Sequence, residues 1–255
     1  MKDPLDIREL LQDWPFDPEN AARIVRTSDG RDVLQVRTPL GLEQLEMQGR
    51  PDGAHPHDME SALEFHQRRL ADAENAGGEE EFELTAQDCA ELFDEGTLYY
   101  FRYLHLFQLQ RWTDTVRDTA RNLRLFDFVR RYAGREEDRD HLEKWRPYIL
   151  RINAAASAML AIEKGDASAA LTIVRNALDR ITELEESEDE IFQFERGRSR
   201  AALGELLDQI KQLRPVSPLE RLEEQLRTAI ERQEFERAAR LRDRIRELRT
   251  RPPAR

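Results

Sequence analysis

A single cysteine, Cys89, rules out an intramolecular disulfide, and no C-x-x-C pair is present to bind zinc or run redox chemistry. The longest uncharged stretch, INAAASAMLAI over Ile152–Ile162, falls well short of the roughly 20 apolar residues of a membrane span. An integral membrane protein is therefore not expected. The opening MKDPLDIREL carries no basic segment followed by an apolar run, so a cytoplasmic location is expected. G-x-x-x-x-G-K-[ST], H-E-x-x-H and G-x-S-x-G are also missing, and each absence removes a common enzyme class. An interaction protein without enzymatic activity or cofactor is the expectation, and an enzyme using the N-terminal segment ranks below it.

What is present is charge, unevenly spread. The 255 residues are 36% charged and 39% hydrophobic, with a net charge of -12, enough apolar content for a core and unfavourable for generic attraction to DNA or anionic lipid. Yet residues 214–255 hold 12 Arg against 8 acidic residues and no Lys. A basic tail of +4 follows a body of -16.

Residues 1–73 suggest a small β-meander with a helix. In RIVRTSDGRDVLQVRTPLGLEQLEMQGRPDG, β-branched runs are interrupted by Asp29-Gly30 and by Pro39-Leu40-Gly41, the turn chemistry of antiparallel hairpins. Three short strands are marginal alone, so DMESALEFHQRRLADAE, with Asp58 as N-cap, is expected to cover one face. ENAGGEEEFELT over 74–85 reads as an exposed acidic linker.

Residues 86–213 read as a stack of helical hairpins. The small residues Ala158, Gly165, Ala170 and Ala177 recur at spacings of seven, five and seven, which resembles a tetratricopeptide repeat packing its two helices around a Gly-Asp turn. The likeness covers one unit well. The preceding segment, with Trp112 near its turn, places bulky residues where small ones belong. A plain helical bundle stays open beside a peptide-binding array. FERGRSRAALGELLDQIKQL would cap the last hairpin.

The final segment, 214–255, is the most informative. Gln212 to Val216 breaks the helix, and Ser217-Pro218-Leu219-Glu220 forms a capping box with Pro at the first helical position. Leu219, Leu222, Leu226, Ala229 and Ile230 follow at helical spacing, Arg232-Gln233-Glu234 marks a turn, and a second helix begins near Phe235. That second helix carries two apolar lines. Phe235, Ala239 and Arg242 form one; Ala238, Leu241, Ile245 and Leu248 form the other. One antiparallel neighbour covers only one of them, so the remaining line calls for another helical hairpin.

PLERLEEQLRTAIERQEFERAARLRDRIREL resembles the UVR motif, the helical hairpin named for the excision-repair proteins UvrB and UvrC and found also in Clp ATPases and their McsA-type modulators. The resemblance rests on Leu222, Leu226, Ala229, Phe235, Glu236, Ala238, Ala239, Leu241, Arg242, Asp243, Ile245 and Leu248. It implies docking onto another UVR hairpin, in a partner or a second copy of this chain, with Leu222, Leu226, Phe235, Ala238, Ala239, Leu241, Ile245 and Leu248 as the contact residues. A bacterial adaptor in nucleotide excision repair or Clp-linked quality control is what it suggests. The McsA-type zinc cysteines, the UvrC nuclease domains and the UvrB helicase motifs are absent, so none of those activities carries over. Folding of the hairpin back onto the body remains the alternative to partner docking.

Other candidates are weaker. Arg237, Arg240, Arg244 and Arg251 form the only plausible phosphate surface, for a repair accessory that touches nucleic acid, but Glu234, Glu236, Asp243 and Glu247 are interleaved with them as intrahelical ion-pair partners. His55, His57, Asp58, Glu60 and His66 lie close in sequence, yet the spacing is loose for zinc. Cys89 and the Tyr99, Tyr100, Phe101, Tyr103 cluster fit core packing better than catalysis or base stacking.

Overall fold

The computed structural model describes residues 6–77, 82–213, 222, 225–226, 229–230 and 234–250, with residues 247–250 described by their backbone alone. It divides into two compact units, Met1–Leu207 and Asp208–Arg255. The fold is mainly helical, with one small antiparallel sheet near the N-terminus.

The sheet is the meander that the turn signals predict. β1 (Ala22–Arg26), β2 (Asp32–Thr38) and β3 (Gly41–Glu46) lie in the order β1-β2-β3, with Ile24 opposite Leu34 and Leu34 opposite Leu45. Gly30 adopts φ +89° between the first two strands, where a side chain at Cβ would be strained. Ahead of the sheet stands α1 (Arg8–Asp13). Trp14 follows it, and the Arg23 guanidinium lies 4.0 Å above its ring.

Helices α2 (Ala62–Asn75), α3 (Ala86–Gln108), α4 (Trp112–Tyr132), α5 (Glu136–His141), α6 (Arg146–Glu163), α7 (Ala167–Thr182) and α8 (Glu190–Leu213) follow. The packing chain runs α3 on α4, α4 on α6 and α6 on α7. α6 is buried on more than one side, which is why its sequence is rich in alanine: Ala154, Ala156, Ala158 and Ala161 are all buried, as are Ala170 and Ala177 on α7. Gly165, at φ +77°, makes the turn between them, and Asp166 caps α7 by accepting from the Ala169 N–H at 2.8 Å.

Three local expectations are revised. Ser61, not Asp58, caps α2; its hydroxyl accepts from the Glu64 N–H, while His57 and Asp58 sit at φ 54° and 58° in the turn before it. Nor does α2 cover the sheet. Leu34, Val36, Leu45 and Met47 pack instead around Leu106 near the end of α3, with Leu109 beside them, whereas Ala62 and Leu63 of α2 join the helical core. At 23 residues α3 is about 35 Å long, so it reaches past the helical core to the sheet. Of the expected linker 74–85, residues 78–81 lie outside the described residues; Leu84 is buried and pairs with the end of α4, where its N–H donates to the Tyr132 carbonyl at 2.8 Å.

Polar groups fasten the sheet to the helices. Arg102 and Asp118 are each 1% exposed and pair in a fork, Nε to Oδ2 at 2.6 Å and Nη2 to Oδ1 at 2.9 Å. Arg102 Nη1 also donates to the carbonyls of Glu46 and Gly49, just after β3, at 2.7 and 2.9 Å. Two turns earlier on α3, buried Glu95 accepts from the first N–H groups of α2, Ala62 at 2.7 Å and Leu63 at 3.1 Å, and from Arg50 and Arg121. Breaking such a pair leaves a buried charge without a counterion. Asp118→Ala is expected to destabilise the first unit by about 3–5 kcal/mol, measured as the loss of unfolding free energy in urea. Arg102→Met with Asp118→Leu should recover only part of that, because the Glu46 and Gly49 carbonyls lose their donor.

Candidate interaction site

The second unit contains the segment that carries the UVR resemblance. Leu222, Gln225, Leu226, Ala229 and Ile230 are helical, and a last helix, α9, spans Phe235–Thr250. The capping box at 217–220 and the turn residues Arg232 and Gln233 lie outside the described residues. At the start of α9 the Glu234 N–H donates to the Ala229 carbonyl at 2.8 Å, and the Glu234 carbonyl accepts the Ala238 N–H at 2.9 Å.

The two lines on this helix are unequal. Ala238 and Ile245 are buried, Leu241 is half-buried between them, and Ala229 is buried on the preceding helical segment. Leu222 and Leu226 are half-buried. Phe235 is 70% exposed and Ala239 and Arg242 are exposed with it. The contact residues expected from sequence thus separate into a buried set, Ala238 and Ile245 with Leu222, Leu226 and Leu241 half-buried, and an exposed pair, Phe235 and Ala239. The side chain of Leu248 lies outside the described residues. Ile230, 55% exposed, was grouped with Ala229 by spacing alone but shows the opposite burial. Adjacent residues are about 100° apart around a helix, which is enough to separate them.

The arginines of α9 are mostly engaged. Arg237 pairs with Glu234 at 2.9 Å, Arg240 with Glu236 at 3.7 Å and Arg242 with Asp243 at 2.9 Å. Arg244 is exposed, and Arg251 lies outside the described residues. These exposed pairs are each worth little in stability, but each sets a carboxylate beside a guanidinium that a phosphate backbone would meet.

The histidine group is a local network. His57 stacks on Phe65 with 3.8 Å between ring centroids and 14° between planes, and its Nε2 lies 3.0 Å from Glu91. Buried His66 uses both nitrogens: Arg69 donates to Nδ1 at 2.9 Å, which leaves Nε2–H to donate to Glu91 at 3.3 Å. That is the neutral tautomer. His55 is exposed, and among the described residues no group of His, Cys, Asp and Glu is arranged to hold a metal ion. Burial pushes the thiol of Cys89 up to about 11, far from a reactive thiolate. Tyr99 and Tyr103 are buried, and Tyr99 lies between the guanidiniums of Arg102 and Arg121, 4.8 and 3.9 Å from its ring.

Residues 217–251 match the family model described as the UvrB/uvrC motif. No curated protein and no solved structure matches the chain. Among the described residues no helix is long and apolar enough to cross a membrane. The match covers the hairpin alone, so what it implies is an interaction role of the repair-related type for that segment.

Burial lowers the pKa of His66, against the opposing pull of Asp88 and Glu91. A histidine held neutral in the fold and free to protonate when unfolded leaves stability intact above its ordinary value of about 6.5 and erodes it as pH falls from there toward the folded pKa. Unfolding free energy should therefore decline between pH 7 and pH 5, and His66→Gln should make that decline shallower. A slope left unchanged by the substitution in urea titrations would show that His66 takes up its proton equally in the folded and unfolded states.

Proposed function

We propose that this chain is a non-enzymatic adaptor whose C-terminal hairpin docks a partner helical hairpin through the face that presents Phe235, Ala239 and Ile230. The observation that carries this reading is the asymmetry of the last helix. Its Ala238, Leu241, Ile245 line is withdrawn from solvent, whereas Phe235 remains 70% exposed at the start of the same helix. Phe235 has the small Ala239 beside it on the same helix, which would let a partner helix approach closely. Burying such a ring supplies on the order of 1.5–3 kcal/mol of association energy.

The partner chemistry follows from the motif. A second UVR hairpin offers the same narrow apolar stripe with flanking charges, so the occupant is either another UVR-bearing protein or a second copy of this chain. By resemblance the partner would act in excision repair or in Clp-linked quality control, in a cytoplasmic setting. The acidic, tetratricopeptide-like helical body would then carry the hairpin and be delivered with it. Direct contact with nucleic acid through Arg237, Arg240, Arg244 and Arg251 is the second reading, and the ion pairs to Glu234 and Glu236 weigh against it.

Full-length protein and a Phe235→Asp variant would be compared by sedimentation for self-association and by titration against a UVR hairpin from an excision-repair or Clp protein. Phe235→Asp should weaken association at least about tenfold without lowering the melting temperature, since the side chain is exposed. Ile245→Asp, at a buried position, should weaken it and also unfold the hairpin. Equal association by wild type and Phe235→Asp would reject the docking face. Loss of both DNA retention and its salt dependence on removing residues 214–255 would move the assignment to the arginines.

A further inference from the structure

The first unit holds a cavity of about 370 Å³ enclosed by α3, α4, the segment 141–149 and α8, a size typical of small-molecule sites. It takes no residue from the hairpin. Much of its wall is aromatic. Tyr100 and Tyr148 meet edge to face with 6.0 Å between centroids, and His141 stacks on Phe93 with 4.2 Å between centroids and 18° between planes. Trp145 also lines it and is 40% exposed, which leaves part of the wall open to solvent. Rings set out in this way offer faces and edges to a further planar ring.

The polar groups gather around Tyr148. Arg198 lines the cavity from α8 with more than half of its side chain exposed. Burial pushes the Tyr148 hydroxyl up to about 12, so it remains a proton donor at neutral pH, and the hydroxyl also lies within the influence of Tyr100, Arg151, Glu195 and Arg198. A guanidinium and a phenolic O–H therefore stand near each other beside an aromatic wall.

The local charge selects the kind of ligand. Glu195 is buried and faces two guanidiniums, with Arg198 Nη1 3.6 Å from Oε1 and Arg151 Nη2 3.7 Å from Oε2. Arg151 does not line the cavity, but its guanidinium lies 5.1 Å from the centre of the Tyr148 ring, close enough for its charge to act there. Two cations against one carboxylate leave one positive charge in surplus. Burial lowers the pKa of His141, and Lys144 lowers it further against Asp138, so this ring adds no charge at pH 7. A cationic ligand would meet the surplus as repulsion. Among the described residues Arg198 is the only Lys or Arg in the lining, so a phosphate dianion would keep one charge unmatched and close to Glu195. A monoanion matches the site.

We propose that this cavity binds a small planar aromatic monocarboxylate, its ring held among Tyr100, Tyr148 and the His141–Phe93 stack and its carboxylate held by Arg198. The guanidinium offers two parallel N–H groups to the two oxygens of one carboxylate. The Tyr148 hydroxyl supplies a further donor beside it. Glu195 touches no part of such a ligand; it moderates the charge of Arg198, so that one negative charge is favoured and two are not.

Calorimetric titration of the full-length protein tests this, with phenylacetate and indole-3-acetate each set beside its neutral amide and its amine counterpart, phenethylamine or tryptamine. At least one acid is expected to saturate a single site and to bind at least about tenfold more tightly than its amide and its amine. Arg198→Met should bring that acid down to the affinity of its amide and leave the amide unchanged. Thr97→Trp, at an exposed position of the lining, leaves every charge in place and should block acid and amide alike. Both positions are exposed, so each variant should melt with the wild type. Absence of saturable binding by both acids up to millimolar concentration would overturn the assignment. So would equal affinities for acid and amide, or acid binding that either substitution leaves unaltered, while tighter binding of an amine would give the cavity to a cation instead.

Discussion

The buried fork between Arg102 and Asp118 is the constraint on which the first unit depends. A three-stranded meander with one apolar face is too small to hold itself together, and among the described residues its apolar face packs on Leu106 at the end of α3 and on Leu109 just after it. Apolar contact of that size does not fix orientation. Arg102 does, because its guanidinium is planar and is held on two sides, by Asp118 of α4 and by the Glu46 and Gly49 carbonyls that follow β3. Glu95 repeats the device two helical turns away, taking the start of α2 and two further guanidiniums. Buried charge of this sort is poor evidence of net stabilisation, but it tolerates few alternative arrangements. Sheet, α2 and the α3–α4 hairpin are thereby held in one geometry within the first unit.

The second unit follows a different logic. In the first, Arg102, Asp118, Glu95 and Arg121 are buried and paired with one another; in α9 the charged side chains stay on the surface and pair along the helix, as Arg237 does with Glu234 and Arg240 with Glu236. Surface pairs fix nothing strongly, which leaves apolar burial to determine how the hairpin associates. A short helix with two apolar lines can satisfy one of them locally and retain the other. Burial at Ala238 and Ile245 with exposure at Phe235 is that outcome.

Legibility in the sequence followed the range of the interactions. The β-meander was readable because its signals are local: Asp29-Gly30 sits between the β-branched runs around Ile24-Val25 and Val33 to Val36. The hairpin at 217–251 was readable because a contact motif repeats its residue types at helical spacing. Asp58 and Ser61 are both good capping residues, but only Ser61 is followed three positions on by Glu, at Glu64, so the local capping-box pattern already favoured it. The left-handed backbone at His57 and Asp58 agrees with it, as does Glu95, which receives the first amides of α2 from more than thirty residues away. The covering of the sheet by α3 was equally hidden, since α2 and α3 are both amphipathic. Ile230 and Ala229 are neighbours in sequence with opposite exposure, a distinction that residue type alone does not carry.

The cavity bounded by Glu195 is the extreme case of that dependence on range. Its walls come from segments as far apart as Phe93 and Arg198, so no spacing rule could have assembled them. Each residue also had a sufficient local explanation: Tyr100 and Tyr148 as core aromatics, Glu195 and Arg198 as an i,i+3 pair on an exposed helix. Packing changes the meaning of that pair. On a solvated helix the carboxylate and guanidinium would satisfy each other through water; with Glu195 buried and the guanidiniums held at 3.6 and 3.7 Å, they do not. A carboxylate enclosed by aromatic rings and left short of donors costs the fold stability.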